Sequence, residues 1–144
     1  LTPTSDEIVL DYFVEACAMK MNGFYKEGVA TWSIAFHAED EENTLYLDIQ
    51  PPLAATDFVG EYTFDSSYAP NTAVAGAMEE KYWSGSLWYV NDKLGNLVKS
   101  KLLSSGSVKI TKSDNIYTIS INALDQNNEK LKVSYTGIIE DISL

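Results

Sequence analysis

From residue 108 onward, apolar and polar side chains alternate with a period of two. Val108 and Ile110 take turns with Lys109 and Thr111, and Ser113-Asp114-Asn115 interrupts the run. Tyr117, Ile119, Ile121 and Ala123 then share one face against Thr118, Ser120 and Asn122. Successive side chains on a strand point to opposite sides, so this pattern predicts two half-buried strands joined by a hairpin turn. Asp125-Gln126-Asn127-Asn128 turns the chain again, and Leu131, Val133, Tyr135, Gly137 and Ile139 form the apolar side of a third strand. The expected element is a three-stranded antiparallel meander.

The same period recurs upstream. Ala30, Trp32, Ile34, Phe36 and Ala38 alternate with Thr31, Ser33, Ala35 and His37, and the polar stretch from Glu39 to Asn43 leads to Leu45, Leu47 and Ile49, which reads as a second hairpin. Pro51-Pro52 supplies no N–H to a ladder and should end that strand. Phe58, Gly60, Tyr62 and Phe64 offer a further strand, and the small and turn-forming residues from Asp65 to Glu80 predict a long surface loop. Trp83 to Val90 is apolar on both sides, as in a strand covered on two faces, with Asn91 to Gly95 as turn and Asn96 to Leu102 as partner. Near the start, Thr4-Ser5-Asp6-Glu7 has the form of a helix capping box, but Val14, Ala16 and Ala18 alternate with Glu15, Cys17 and Met19. A strand is the expectation there, with Lys26-Glu27-Gly28 turning into the Trp32 strand. The fold expected is all-β: a single antiparallel β-sandwich or β-barrel domain over residues 1–144, the two architectures sharing this pattern.

Charge narrows the partners. The chain has 10 basic residues, all lysines, against 21 acidic ones, a net charge of −11. Arginine supplies the planar fork that grips phosphate, so its absence with this charge argues against nucleic acid, phosphorylated ligands and anionic membranes. The acidic excess lies in the first half, where only Lys20 and Lys26 are basic, and is expected to form a solvated face.

Several segments resemble a family of exported Bacteroidetes lipoprotein domains. They are Ser105-Gly106-Ser107-Val108-Lys109-Ile110-Thr111-Lys112, Ile116-Tyr117-Thr118-Ile119 and Lys132-Val133-Ser134-Tyr135-Thr136-Gly137, with earlier echoes in Ala30-Thr31-Trp32-Ser33-Ile34, Leu45-Tyr46-Leu47-Asp48 and Val59-Gly60-Glu61-Tyr62-Thr63-Phe64. The resemblance implies an all-β surface protein, exported to the periplasm or cell surface, with membrane attachment only through a lipid anchor upstream of Leu1. It supplies no catalytic residues. Cys17 does not fit the lipid-bearing role, because it lies inside an expected strand.

Candidate chemistry is sparse. His37 is the sole histidine and sits on the polar side of its strand, without a nucleophile-elbow sequence, so an exposed histidine is expected. Cys17 has only Lys20 nearby to stabilise a thiolate, and is expected to be a small buried hydrophobe. One cysteine and one histidine cannot build a Cys/His zinc site. Glu39-Asp40-Glu41-Glu42 and Asp125 to Glu129 lack the ligand alternation of an EF-hand and read as solvated turns. No catalytic residue, metal or cofactor is expected. The feature most suggestive of binding is aromatic: Tyr82, Trp83, Trp88 and Tyr89, with Trp83 and Tyr89 on one face of the strand and Tyr82 and Trp88 on the other. Aromatic planes stack on the C–H faces of sugars, which makes these four the ligand-binding candidates, the alternative being core aromatics covered by a second layer; Trp32 belongs to a core stripe. The function expected is a non-catalytic surface domain with a glycan or a surface protein as partner, the alternative being a structural or interaction module with no small-molecule site.

Overall fold

The structure is a computed structural model that describes residues 7–40, 42–52, 55–79 and 82–143. Thr4-Ser5-Asp6 of the capping sequence, Glu41 of the acidic run and Glu80 at the end of the expected loop lie outside these residues. Every regular element among the described residues is a strand: β1 (Ile8–Leu10), β2 (Phe13–Asn22), β3 (Ala30–Ala38), β4 (Asn43–Gln50), β5 (Gly60–Phe64), β6 (Thr72–Ala73), β7 (Ala77–Glu79), β8 (Tyr82–Ser84), β9 (Leu87–Asn91), β10 (Leu97–Ser113), β11 (Ile116–Asp125), β12 (Lys130–Gly137) and β13 (Ile139–Asp141).

The meander forms as its alternation dictates. β10 pairs with β11, and β11 with β12, so that Ile110 faces Ile119 and Ile121 faces Val133. Asp114 and Asn128, in the two connecting turns, adopt φ of 55° and 62°, a conformation that Asp and Asn tolerate better than other side chains. β3 and β4 form the second hairpin, with Trp32 opposite Ile49 and Ile34 opposite Leu47, and β4 stops at Gln50 before the prolines.

The sheet closes. β4 and β10 are bridged at one end by β9 and at the other by β5 and β6, so β10, β5, β6, β4 and β9 complete a five-stranded ring. The remaining strands continue the wall on both sides and meet as well. β1 runs parallel to β12 with Ile8 facing Leu131, and β13 runs parallel to β2 with Ile139 facing Ala16, at one and the same offset along the chain. β1–β2 and β12–β13 are thus two interrupted strands laid side by side. The architecture is a barrel, and its pairing is mixed, because the purely antiparallel order expected holds neither at this seam nor between β5 and β6. One continuous core fills the interior, with Ile34, Phe36, Leu45, Leu47 and Ile49 from one side against Tyr62, Ile110, Ile119, Ile121 and Val133 from the other.

Four local expectations are corrected. Asp65 to Glu80 is not simply a surface loop: Thr72, Ala73 and Val74 are buried, and Thr72–Ala73 joins the ring. Trp83 to Val90 is not one strand, because the chain breaks at Gly85-Ser86 between β8 and β9. The separate strands expected at Asn96–Leu102 and from Val108 are one, β10, which passes a register irregularity between Leu103 and Ser105 and then Gly106 at φ +120°. In β2 a bulge between Phe13 and Glu15 shifts the alternation, so Phe13 is buried and Val14 is exposed, while Ala16 and Ala18 keep the inward side. Cys17 therefore faces outward and is only half-buried.

Candidate functional site

The outward face of the β2-β3-β4-β9 wall carries a groove of about 720 Å³. The core stripe of β4 points inward, so the alternate residues Tyr46 and Asp48 point out, and Ser33 sits directly across from Asp48 on β3. On β9, Leu87 and Tyr89 face the groove while Trp88 faces the core. Phe24 and Tyr25, on the loop after β2, close one side. Trp83, on the small β7–β8 hairpin, closes the other, and Leu97 lies at the start of β10.

These rings form two contacting groups. Trp83 meets Tyr89 at 5.9 Å between ring centroids, Tyr89 stacks on Tyr46 at 6.1 Å, and Phe24 meets Tyr25 edge-on at 4.8 Å. Tyr25 in turn stacks on Tyr68 at 5.2 Å. Burial, and then the neighbouring Tyr89 hydroxyl, push Tyr46 up to about 12, so its phenol stays protonated at neutral pH.

At the floor lies Asp48, 5% exposed. Its carboxylate accepts a hydrogen bond from the Tyr25 hydroxyl and another from Ser33. Burial raises the Asp48 carboxyl above its ordinary range, and these two hydrogen bonds hold it part of the way back down. Burial, followed by the charge of Asp48, raises Tyr25 further, which keeps the proton on the phenol. Tyr25 is fixed from the other side by the Gly85 N–H, which donates to its Oη at 3.1 Å. Gly85 has φ of +78°, and a Cβ there would lie 2.2 Å from the Ala75 carbonyl oxygen, so only glycine fits. Around this point the backbone is fully engaged: Ser86 N–H donates to Val74, Leu103 N–H to Ser86, Gly76 N–H to Leu103 and Val74 N–H to Asp48. That stitching fills the gap between β9 and β6 on the edge of β4 and gives the groove a rigid floor.

Of the four residues picked from the sequence, the structure brings two together. Trp83 on β8 and Tyr89 on β9 share the groove, although the break at Gly85-Ser86 means that no single strand's alternation sets them there. Trp88 is corrected to the core: it is 4% exposed, and its Nε1–H donates to Asn43 Oδ1 at 3.3 Å, which satisfies the one polar atom it buries. Tyr82 is 65% exposed on the far face of its hairpin and does not line the groove. Tyr46 and Asp48 were missed, although an aromatic and an acid on the outward side of a strand with a strong inward stripe are a usable signal. Phe24 and Tyr25 carried no local signal, because a turn brings them over the groove from another part of the chain.

His37 and Cys17 lie elsewhere, in a second groove of about 530 Å³ along the β2–β13 seam with Glu15, Glu140 and Ile138. Burial, then Glu140 and Glu15, raise the Cys17 thiol, the opposite of what a nucleophile needs. His37 is half-buried rather than exposed, opposite Glu15 on β2. Trp32 is buried as expected. Compared with protein-family models, with curated proteins and with solved structures, the chain matches none.

Proposed function

We propose that this chain is a non-catalytic, exported domain that binds a glycan or another extracellular ligand in the groove beside Trp83. One observation carries the reading: Trp83, Tyr89 and Tyr46 form a contiguous aromatic wall above a fixed polar floor of Asp48 and Ser33. Sugar rings offer C–H faces to such a wall and hydroxyls to such a floor, and largely apolar pockets with a few convergent polar groups are the usual form of a ligand site. No lysine is among the described residues that line it, which fits the chain's charge in disfavouring anionic ligands. Export, and attachment through a lipid upstream of Leu1, are supported by the resemblance of the meander to surface lipoproteins; protease accessibility on intact cells checks that part.

Calorimetry against a glycan panel tests the binding. The native chain should bind at least one glycan, and Trp83→Ala and Tyr89→Ala should each weaken it by about tenfold or more while keeping the native melting temperature within a few degrees. A native chain that binds nothing on the panel sinks the reading. A second reading, a packing module among surface proteins, is favoured by the exposed Val14, Ile138 and Ile142 beside the seam. Sedimentation at rising concentration checks it, with association that Ile138→Ser abolishes as the expected result.

A further inference from the structure

The floor of the groove holds a charge with an unusual set of partners. Asp48 is buried, yet both groups that hydrogen-bond its carboxylate, the hydroxyls of Tyr25 and Ser33, are neutral. Ion pairs among the described residues lie elsewhere: Lys101 binds Asp125 and Glu129, and Lys112 binds Asp57. Taking a carboxylate out of water is costly unless a positive charge faces it, and two neutral donors offset only part of that cost, which is why burial outweighs them in raising its carboxyl. The rest of the lining points the same way. Trp83, Tyr89, Tyr46 and Tyr25 present π systems, whose negative faces attract a cation once water is displaced, and no lysine stands among them to repel one.

A neutral sugar would use the aromatic wall but leave the carboxylate desolvated without a counter-charge. A sugar acid or phosphate would meet Asp48 and a chain of net charge −11. An N-acetylated sugar offers an amide, which carries no charge to set against the carboxylate. We infer that the groove's ligand class is a sugar bearing an unsubstituted amine, with its ring face on Trp83 and Tyr89 and its ammonium directed to the Asp48 carboxylate. The inference rests on the reading of this groove as a glycan site and adds the chemistry of the sugar. Aromatic stacking supplies ring selectivity, and the charge-assisted hydrogen bond selects the free amine.

The test is calorimetric titration of the full chain with three oligosaccharides of equal length: glucosamine oligomers, their fully N-acetylated counterparts and glucose oligomers. Titrations are run at a pH where the amine is protonated and repeated at high salt. The glucosamine oligomers should bind at least about tenfold more tightly than the other two, the preference expected of one charged hydrogen bond. Asp48→Asn, which keeps an acceptor for Tyr25, should erase that preference, and Trp83→Ala should weaken every oligomer that binds. Added salt should weaken the native chain's binding of the amine oligomer selectively, a readout that needs no variant. Equal binding of all three oligomers, or a preference that survives Asp48→Asn, overturns the ammonium assignment and leaves the glycan groove standing. Binding of none of them overturns the groove reading and the assignment together.

Discussion

A buried carboxylate held by two hydroxyls makes Asp48 sensitive to pH. Its folded-state carboxyl lies above the ordinary value of 3.8, so the folded chain holds that proton to higher pH than the unfolded chain does. The stability it contributes is therefore present in full below the unfolded value and is lost as pH rises through the raised one. Asp48→Asn should accordingly gain in melting temperature relative to the native chain between about pH 4 and neutrality; a gap that stays constant over that range contradicts the account. Tyr25→Phe removes one of the two supports and should cost about 1–2 kcal/mol by urea denaturation at neutral pH. Gly85→Ala strikes the same point through the backbone, where the added Cβ meets the Ala75 carbonyl at a positive φ. It should cost about 2 kcal/mol or more and disturb the donor that fixes Tyr25. The outward side of β4 was a local signal for Asp48, but its burial was not. Asp48 looks like one more surface acid in an acidic half-chain, and its burial is produced by Tyr25, Val74 and Ser86, which are brought over it from three other segments.

Among the elements, β10 has the most conflicting demands, since its first half pairs with β9 and its second with β5 and β11. Gly106 is where those halves meet. A Cβ there would lie 2.1 Å from the Asn122 carbonyl oxygen of β11 and would require the φ of +120° that side chains avoid. Gly106→Ala should therefore destabilise by about 2 kcal/mol or more in urea denaturation, whereas Gly95→Ala, in an open turn, should cost less because only its φ of +84° is strained. At the other end of the strand, Lys101 reaches Asp125 at 2.9 Å, and the Asp125 carboxylate also accepts the Asn127 and Glu129 N–H groups of the β11–β12 turn. Burial raises the Asp125 carboxyl, but the bond from Lys101 and those from the backbone outweigh it, so the net direction is downward. Lys101→Met leaves a shielded carboxylate without its cation and should cost about 3 kcal/mol, a loss that a melt at neutral pH would register and one at low pH would largely erase. The meander turns were legible because Asp114 and Asn128 sit where a left-handed residue is needed. The bends in β2 and β10 were not, since a bulge is set by the neighbouring strand as much as by the bulged one.

At the scale of the molecule, the barrel depends on a seam made from the two ends of the described chain, β1–β2 against β12–β13. Leu10, 1% exposed although it lies on a three-residue strand, is packed into the same core as Ile119 and Val133. Leu10→Ala should then cost about 2–4 kcal/mol and lower tryptophan fluorescence and far-ultraviolet dichroism transitions together, as one cooperative unit requires. A separate early transition in one signal would show the seam to be independent of the barrel. What the sequence determined by itself was what periodicity and turn chemistry encode within a few residues: the all-β class, the meander, the β3–β4 hairpin and the stop at Pro51-Pro52. Tertiary structure alone decided barrel over sandwich and the parallel seam, because strand partners far apart in sequence are selected by closure of the whole sheet. The same cause made the candidate site. Its wall was half visible as an aromatic run, but the carboxylate and the phenol that define its floor meet only when distant segments cross the outer face of β4.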